Sequence, residues 1–234
     1  SLRGLSASLL DPEASETLCF WVNVYHTLVQ HTLLVMGPQS AKEWATAHAT
    51  VSYELLGNVF SLAEMEQCIL RGRLSPPRTV PKHYPRVASR QDERIAFAVY
   101  PDPRVNFVLN PGCVAHGPEV SVLRPAVLNL TLNEITSNFL DRTVTVDLQA
   151  AQITLHRVLD MYLFDVCDSS PKANVTVECI RFCVRHVSRD LWTKLTLLLN
   201  EAKPTLKFHP YKFNSVETLI HAGQSDGDGG ALEG

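Results

Sequence analysis

The sequence predicts a single α+β domain with a buried N-terminal helix, a small antiparallel or mixed sheet and flanking helices. Two observations lead to this class. Stretches with helical periodicity are interspersed with short runs of strand character, and these runs stand mostly in pairs around turns. The 234 residues and the hydrophobic fraction of 45% are also sufficient for one sizeable core without disulfide bonds.

The first predicted element is a long apolar helix. Asp-Pro-Glu at 11–13 is typical of a helix start, and Gly-Pro at 37–38 is typical of a helix end. Asn23, His26 and Gln30 follow each other at spacings of three and four, so they share one helical face. We expect the helix to be buried all round and this polar stripe to be hydrogen-bonded in the core. The alternative is that the stripe lines a site.

The other elements follow from alternation, turn residues and capping patterns. In order they are a hairpin of strands 51–55 and 59–61, a helix from 61 through 70, an irregular connection over 71–94, strands 95–100 and 105–109, a helix over 128–140, a second hairpin of 143–148 and 152–156, helices over 157–166 and 175–200, and a strand at 205–209. We expect one domain over 1–222 and a flexible Gly-rich tail over 223–234.

Composition limits the classes of partner. The net charge of −3 gives the whole chain no attraction for nucleic acid or anionic membrane, and the polar residues of the first helix exclude it as a membrane span. Six cysteines are scattered through apolar runs, as is typical of buried thiols in a reducing, cytoplasmic setting. The start at Ser1 favours a piece of a longer intracellular protein. We expect no cofactor, and the sequence gives no oligomeric state.

Cys113 and His116 form the most informative pair in the sequence. They lie three residues apart in a predicted turn, within the segment RVNFVLNPGCVAHGP at 104–118. A thiol beside an imidazole is the raw material of a nucleophilic site, and amides around Gly112 are candidates for an oxyanion hole. Cys113 and His116 would also supply two ligands of a metal site, with Cys179 and Cys183 as further candidates. These four do not form a compact set, so we expect no metal.

Four segments resemble one known family, the DUF547 domain. The segments are FWVNVYHTL at 20–28, VFSLAEMEQCILR at 59–71, DPRVNFVLNPGCVAHGP at 102–118 and LKFHPYKFN at 206–214. They keep the family's order over about 15–215. The resemblance implies a single α+β domain and invites comparison with papain-like cysteine hydrolases.

The departures from the family pattern fall on reactive positions. The family's histidine corresponds to Asn106, its first cysteine to Pro111 and its second cysteine to His116. Its late aspartate corresponds to Lys212, and the second Asn of its first helix to His26. The resemblance therefore implies that the backbone frame is kept while the proton-transfer and nucleophilic groups are replaced.

We interpret the chain as a pseudoenzyme that serves as a protein-interaction or scaffold module in the cytoplasm. One alternative is a papain-like cysteine hydrolase or transferase that uses a displaced pair of Cys113 and His116. Another is a small-ligand or peptide site in the leftover cleft, with His26, Asn106 and His116 as polar contacts.

Charged residues suggest two further contacts. Arg181, Arg185 and Arg189 have the spacing of one helix face, which is typical of a solvated surface and would also suit an acidic protein partner or lipid phosphate. Within the segments of the resemblance, Glu66 is a candidate partner for Arg71 or Arg104. Such a pair would link the first helix to the core strand.

Overall fold

A computed structural model of the chain describes residues 10–80, 93–167, 174–200 and 203–221. The predicted tail at 223–234 and half of the proline-rich connection, residues 81–92, lie outside these residues. The predicted first helix is confirmed as α1 (Ser15–Met36), although it begins later than the Asp-Pro-Glu motif because Asp11 caps a preceding turn instead. No helix in the described ranges has the length and hydropathy to cross a membrane.

The expectation that α1 is buried all round is wrong for its C-terminal part. Gln30 is exposed, and Leu34 and Val35 are more than 70% exposed, at 72% and 73%. Earlier in the helix, buried aromatic and aliphatic side chains such as Trp21 and Tyr25 face the core from several directions. The N-terminal half of α1 is therefore buried in the core, whereas its C-terminal end near Met36 is exposed to solvent.

A second helix, α2 (Ala41–Thr50), follows directly and was not predicted. Its start is marked by a capping box, in which the Ser40 hydroxyl accepts from the Glu43 amide and the Glu43 carboxylate accepts from the Ser40 amide. Ser-x-x-Glu spacing is a sequence-level signal for a helix N-terminus. This signal was present in the sequence, but it was overlooked because the helix that follows is short and largely polar.

The first hairpin and the helix behind it are confirmed. Strands β1 (Ser52–Leu55) and β2 (Asn58–Ser61) pair antiparallel around a turn with positive φ at both central residues. Helix α3 (Leu62–Glu64) continues into a π-helix (Met65–Leu70), whose six residues are all buried. The amide of Arg71 closes this turn on the Glu66 carbonyl at 2.9 Å, an i to i+5 bond.

The two strands predicted at 95–100 and 105–109 are wrong. The first segment contains a 3₁₀-helix (Glu93–Phe97), and the second forms the short helix α4 (Val105–Val108). The Asp102 carboxylate accepts from the Arg104 amide at 2.9 Å, and its carbonyl accepts from the Val105 amide. This turn starts a helix, so the β-branched and aromatic residues that follow are buried as helix residues.

Within the described ranges, the remaining elements comprise five α-helices and the three strands of a mixed sheet. They are α5 (Leu128–Thr143), β4 (Thr145–Asp147), β5 (Gln152–Leu155), α6 (Arg157–Met161), α7 (Leu163–Val166), α8 (Val175–Val184), α9 (Arg189–Leu199) and β6 (Thr205–Phe208). In the sheet, β5 pairs antiparallel with β4 and parallel with β6. The predicted second hairpin and late strand are therefore confirmed. Residues 175–200 are helical over most of their length, as predicted, but they form two helices because the chain turns between α8 and α9.

Two short strands join distant parts of the chain. Strand β3 (Glu119–Val120) pairs parallel with β7 (Ile220–His221), which the sequence did not indicate. Buried apolar residues form two clusters: one is built mainly around α1 and α3, and the other around α5–α9 and β5. Tyr211 packs against both clusters, and a group of buried polar residues lies where the two meet. The fold is α+β, as predicted.

Candidate functional site

Cys113 and His116 do meet, and Tyr211 joins them. Cys113 Sγ lies 3.3 Å from His116 Nδ1 and 3.3 Å from Tyr211 Oη, and the Tyr211 hydroxyl lies 3.3 Å from the same ring nitrogen. The turn that carries Cys113 is held by the C-terminal segment, since Cys113 forms an isolated antiparallel bridge with Ser215. The three side chains form a closed triangle of thiol, imidazole and phenol.

Both members of the predicted pair are neutral in this environment. Burial raises the pKa of the Cys113 thiol to about 11, although hydrogen bonds such as that from Tyr211 partly oppose the shift. Burial, followed by the nearby His156 and Arg142, lowers the pKa of His116 well below its usual value. Near pH 7 these shifts favour a thiol beside a neutral imidazole over a thiolate–imidazolium pair.

Other aromatic rings enclose the imidazole of His116. The ring centroids of Phe139, His156 and Tyr211 lie 6.1, 5.4 and 5.8 Å from that of His116. His156 itself has a structural role, because its Nε2 donates to the Ala115 carbonyl at 3.0 Å and its Nδ1 accepts from the backbone at the start of α6. Burial lowers the pKa of His156 to about 4, so it is also neutral.

A buried polar cluster adjoins this triangle. The Arg71 guanidinium pairs with Asp165 at 2.8 Å, contacts the amide oxygen of Asn106 and lies 3.4 Å from the ring centroid of Tyr162. Asn106 in turn donates to Asp165 at 2.9 Å, and the Tyr162 hydroxyl donates to Glu66 at 2.5 Å. The cluster thus joins residues of the π-helix and α4 to α7 by charge-assisted hydrogen bonds.

The cavity at this cluster is too small for a substrate. Its volume is about 10 Å³, the room that one water molecule needs. Its walls include Glu66, Arg71, Asn106, Pro111 and His116, whereas Cys113 is completely buried beside it. Among the residues that the structure describes, the Cys113 sulfur therefore does not line this cavity and is closed off from solvent.

A second pocket, of about 120 Å³, lies against the same histidine and is open to solvent. Its polar walls include His116, Glu119, Ser121, Asn138 and Arg142. The Nδ1 atom of His116 is engaged by the triangle, while its Nε2 makes no hydrogen bond to the described residues. His116 therefore separates a closed polar interior from an accessible pocket.

The other predicted ligand contacts are turned into the fold. His26 is buried, its Nε2 accepts from the Asn110 amide at 3.1 Å, and burial lowers its pKa to about 4. Asn23 pairs with both backbone groups of Leu123 at 2.9 Å. Within the described residues, the polar stripe of α1 is thus hydrogen-bonded at Asn23 and at Nε2 of His26, while Nδ1 of His26 is buried without a partner. Asn106 is hydrogen-bonded to Asp165 in the buried cluster. Of the three predicted contacts, His116 is therefore the one that lines the open pocket.

The basic stripe does not form one helix face. Arg181 lies on α8 and pairs with Glu178 at 2.9 Å, whereas Arg185 caps the C-terminus of α8 and Arg189 begins α9. All three arginines are exposed. The prediction of a continuous helical stripe is wrong because the helix ends between them.

Arg71 and Arg104 each have a different main partner from the predicted Glu66. Arg71 pairs with Asp165, and Arg104 pairs with Asp102 at 2.6 Å. Asp165 and Tyr211 were missed as site residues. The sequence placed Arg71 in a surface connection and did not indicate that it would be buried, so it gave no reason to look for a carboxylate partner beyond Glu66.

The four candidate metal ligands are also separated. Cys113 belongs to the first apolar cluster, while Cys179 and Cys183 belong to the second. In the part of the chain that the structure describes, no group of three or more His, Cys, Asp or Glu side chains could hold a metal ion.

A family model described as "Protein of unknown function, DUF547" matches residues 10–140, just over half of the 234 residues. The chain belongs to the DUF547 family. No curated protein matches the chain, and no solved structure matches it. The DUF547 match ends within α5, so Asp165 and Tyr211, which complete the polar cluster and the triangle, come from outside the matched residues.

Proposed function

We propose that this DUF547 domain is a non-catalytic protein-interaction or scaffold module of a larger intracellular protein. One observation carries the proposal: the Cys113 thiol is completely buried against His116 and Tyr211, with its pKa raised to about 11. A nucleophilic cysteine needs a thiolate, a base that takes its proton and space for a carbonyl carbon. Cys113 has a neighbouring imidazole in His116. Its raised pKa disfavours the thiolate, and its complete burial leaves no space for a carbonyl carbon.

Burial also explains why His116 does not activate the thiol. Forming a thiolate–imidazolium pair would place two charges in a site that already disfavours each of them. The Tyr211 hydroxyl contacts both the sulfur and the ring nitrogen, and its hydrogen bond only partly offsets the effect of burial on the pKa of Cys113. We therefore assign the triangle to packing between the Cys113 turn and the C-terminal segment.

Reaction with iodoacetamide at pH 7.5, followed by peptide mapping, tests this assignment. We expect Cys113 in the folded domain to react far more slowly than a free thiol, and at the rate of global or local unfolding. A Cys113→Ser variant should change neither the stability nor the labelling of the other cysteines greatly. Rapid labelling of Cys113 that is lost in His116→Ala would contradict the proposal and support the displaced catalytic pair.

The exposed arginines Arg181, Arg185 and Arg189 are our candidates for the docking surface of an acidic protein partner. We expect changing all three to Glu to abolish salt-sensitive capture of a partner by the intact domain. The matched control changes three exposed lysines outside this region, Lys42, Lys207 and Lys212, to Glu. Equal loss of capture in both triple variants would show an effect of net charge, and would remove the arginines as a docking surface.

A second candidate function is the binding of a small carboxylate in the 120 Å³ pocket. Arg142 is an exposed cation that forms no ion pair within the described ranges, and it lines the pocket with Asn138 and the free Nε2 side of His116. A guanidinium and two neutral donors suit a carboxylate. The volume limits the ligand to a few heavy atoms, and Glu119 on the wall favours a ligand that also carries a positive group.

Thermal shift measurements with glycine, acetate and succinate test this candidate. We expect glycine to stabilise the domain most, because Glu119 can pair with its ammonium group. Arg142→Ala should remove the stabilisation, while Arg124→Ala, an exposed arginine outside the pocket, should retain it. Stabilisation of the two variants to the same degree would exclude the pocket as the binding site.

A further inference from the structure

Two buried cysteines lie close together in the second apolar cluster. Cys167 follows the last turn of α7 and Cys179 lies within α8, and their sulfur atoms are 3.4 Å apart. Both are free thiols. Cys167 retains 6% exposure, whereas Cys179 is completely buried. The pair lies outside the family match and has no place in the function proposed above.

We propose that Cys167 and Cys179 are a redox-active thiol pair that a peroxide converts to a disulfide. An S–S bond is about 2.05 Å long, so the two sulfurs need to approach by roughly 1.4 Å. Cys167 lies at the end of a short helix, where its amide donates to the Leu163 carbonyl at 2.9 Å. Rotation of the side chain and a small shift of this terminus can supply the movement.

The contact between the sulfurs distinguishes their roles. The hydrogen bond with Cys179 lowers the pKa of Cys167, and the same bond together with burial raises the pKa of Cys179. Either sulfur can donate in this contact, and the lowered pKa favours Cys167 as the sulfur that loses its proton more readily. Cys167 is also the more accessible of the two. Both properties favour Cys167 as the sulfur that meets the oxidant.

The chemistry then balances in two steps. The Cys167 thiolate attacks one oxygen of hydrogen peroxide, the O–O bond breaks, and with one proton the products are Cys167 sulfenic acid and water. The Cys179 sulfur attacks the Cys167 sulfur, the S–O bond breaks, and the thiol proton leaves with the hydroxide as a second water. The two thiols lose two electrons in total, and the peroxide gains them.

Other cysteines are less suited to the first step. Burial raises the pKa of Cys19 and of Cys113 to about 11, and that of Cys183 to about 12. Cys183 lies one turn beyond Cys179 on α8 and is completely buried. It is therefore the natural matched control for Cys179, since both sulfurs belong to the same helix and cluster.

Oxidation would fix α7 to α8 by a covalent bond. Helix α7 carries Asp165, the partner of the buried Arg71, only two residues before Cys167. The redox state of the pair would therefore act on the helix that completes the polar cluster. We expect the disulfide form to hold that helix more firmly and to melt at a higher temperature than the reduced form.

Peptide mapping after brief treatment of the folded chain with hydrogen peroxide tests the proposal. Before alkylation, we expect a mass lower by two hydrogen atoms. After unfolding and alkylation, we expect two fewer alkylated cysteines and a cross-linked peptide that joins Cys167 to Cys179. Dithiothreitol should reverse all three changes and the increase in melting temperature. The result that would overturn the proposal is full alkylation of both residues at a peroxide dose that oxidises free glutathione.

Serine variants assign the two steps. In Cys179→Ser, we expect dimedone to trap a sulfenic acid at Cys167 and no disulfide to form. Cys183→Ser should form the Cys167–Cys179 disulfide as the unchanged chain does. A cross-link to Cys183 in the unchanged chain, or loss of the disulfide in Cys183→Ser, would show that the assigned partner is wrong.

Discussion

The guanidinium of Arg71 lies deep inside the protein, where its charge would be costly without a partner. The side chains of Arg71 and Asp165 are each only 1% exposed, and Asn106 and the Tyr162 ring complete the surroundings. A buried ion pair adds little net stability over well-packed apolar residues, but removing one member leaves the other charge uncompensated. The cluster therefore specifies how its elements fit together more than it stabilises the fold.

We predict that Asp165→Ala lowers the free energy of unfolding by about 3–5 kcal/mol, because it leaves Arg71 buried without its carboxylate. Asp190→Ala is the control, since Asp190 pairs with Lys194 on the exposed surface of α9 and should cost less than about 0.5 kcal/mol. Urea denaturation measures both. Similar costs for the two variants would contradict the role given to Asp165.

Because several histidines are buried, we predict that the free energy of unfolding decreases in mild acid. Burial lowers the pKa of His26, His48 and His156 to about 4, below the value of about 6.5 expected in the unfolded chain. The unfolded state therefore takes up protons first as the pH falls, and stability is lost between about pH 6.5 and 4. Each histidine contributes at most about 3 kcal/mol to this loss, and none contributes further below that range.

The His48→Gln variant isolates one part of this pH dependence. His48 Nε2 donates to the Pro111 carbonyl at 2.8 Å, and Gln keeps a donor while it removes the titration. We expect the decrease in unfolding free energy between pH 6.5 and 4, measured by urea denaturation, to be smaller in the variant. An unchanged decrease would mean that His48 does not titrate with unfolding.

At the residue scale, the sequence was informative where contacts are local. The spacing of Cys113 and His116 correctly indicated that their side chains could meet. Their protonation could not be predicted, because it follows from enclosure by Phe139, His156 and Tyr211, which lie 23 to 98 positions away along the chain. Burial of a group depends on long-range packing, which a single sequence does not encode in any local pattern.

At the scale of elements, Gly112 shows how a turn and a helix pair depend on each other. Its φ is +69°, and an added Cβ would lie 2.6 Å from Val29 Cγ1 on α1 and 2.8 Å from Trp44 Cζ2 on α2. The absence of a side chain therefore lets the turn before Cys113 pack between two helices. This close approach places the Cys113 turn against the first apolar cluster.

We predict that Gly112→Ala destabilises the domain by about 1–3 kcal/mol from overpacking, and by about 1–2 kcal/mol more from the left-handed backbone. Gly117→Ala is the matched control in the same segment, with φ of +83° and no atom within 4 Å of an added Cβ. It should show the backbone cost alone. Equal melting temperatures for the two variants would show that the contacts with Val29 and Trp44 relax without cost.

The elements that were predicted correctly have strong local signals. The capping box at 61–64 and the hairpin before it both appear as expected. The strands at 95–100 and 105–109 were mistaken because β-branched and aromatic residues there serve as buried faces of short helices. The break between α8 and α9 has no Gly or Pro to mark it, and the Ser188 amide instead donates to Asp141 on α5 at 2.8 Å.

At the scale of the whole molecule, two apolar clusters meet at the polar cluster and at Tyr211. The first cluster lies mostly within the residues of the family match, and the second lies mostly beyond it. Each side supplies polar groups that the other needs, because Glu66 and Arg71 come from one part and Tyr162 and Asp165 from the other. The two parts are thus expected to fold together.

We predict that a fragment of residues 10–143, which ends with α5, does not fold by itself. It would remove Asp165 from Arg71 and Tyr162 from Glu66, and it would expose the apolar face that α5 presents to the second cluster. Circular dichroism and amide proton dispersion of the fragment, compared with those of the full chain, measure this. A fragment that unfolds cooperatively with native-like dispersion would show that the family-matched residues are an autonomous unit.

The π-helix (Met65–Leu70) restricts how this part of the gene can change in length. Its i to i+5 bond from the Arg71 amide to the Glu66 carbonyl widens one turn, so Glu66 and Arg71 both reach the wall of the same cavity. Deletion of one codon here would remove the extra residue of the wide turn, so the i to i+5 bond between the Arg71 amide and the Glu66 carbonyl could not form. We therefore expect this segment to accept substitutions more readily than insertions or deletions. Its constant length would then help to align it with more distant sequences.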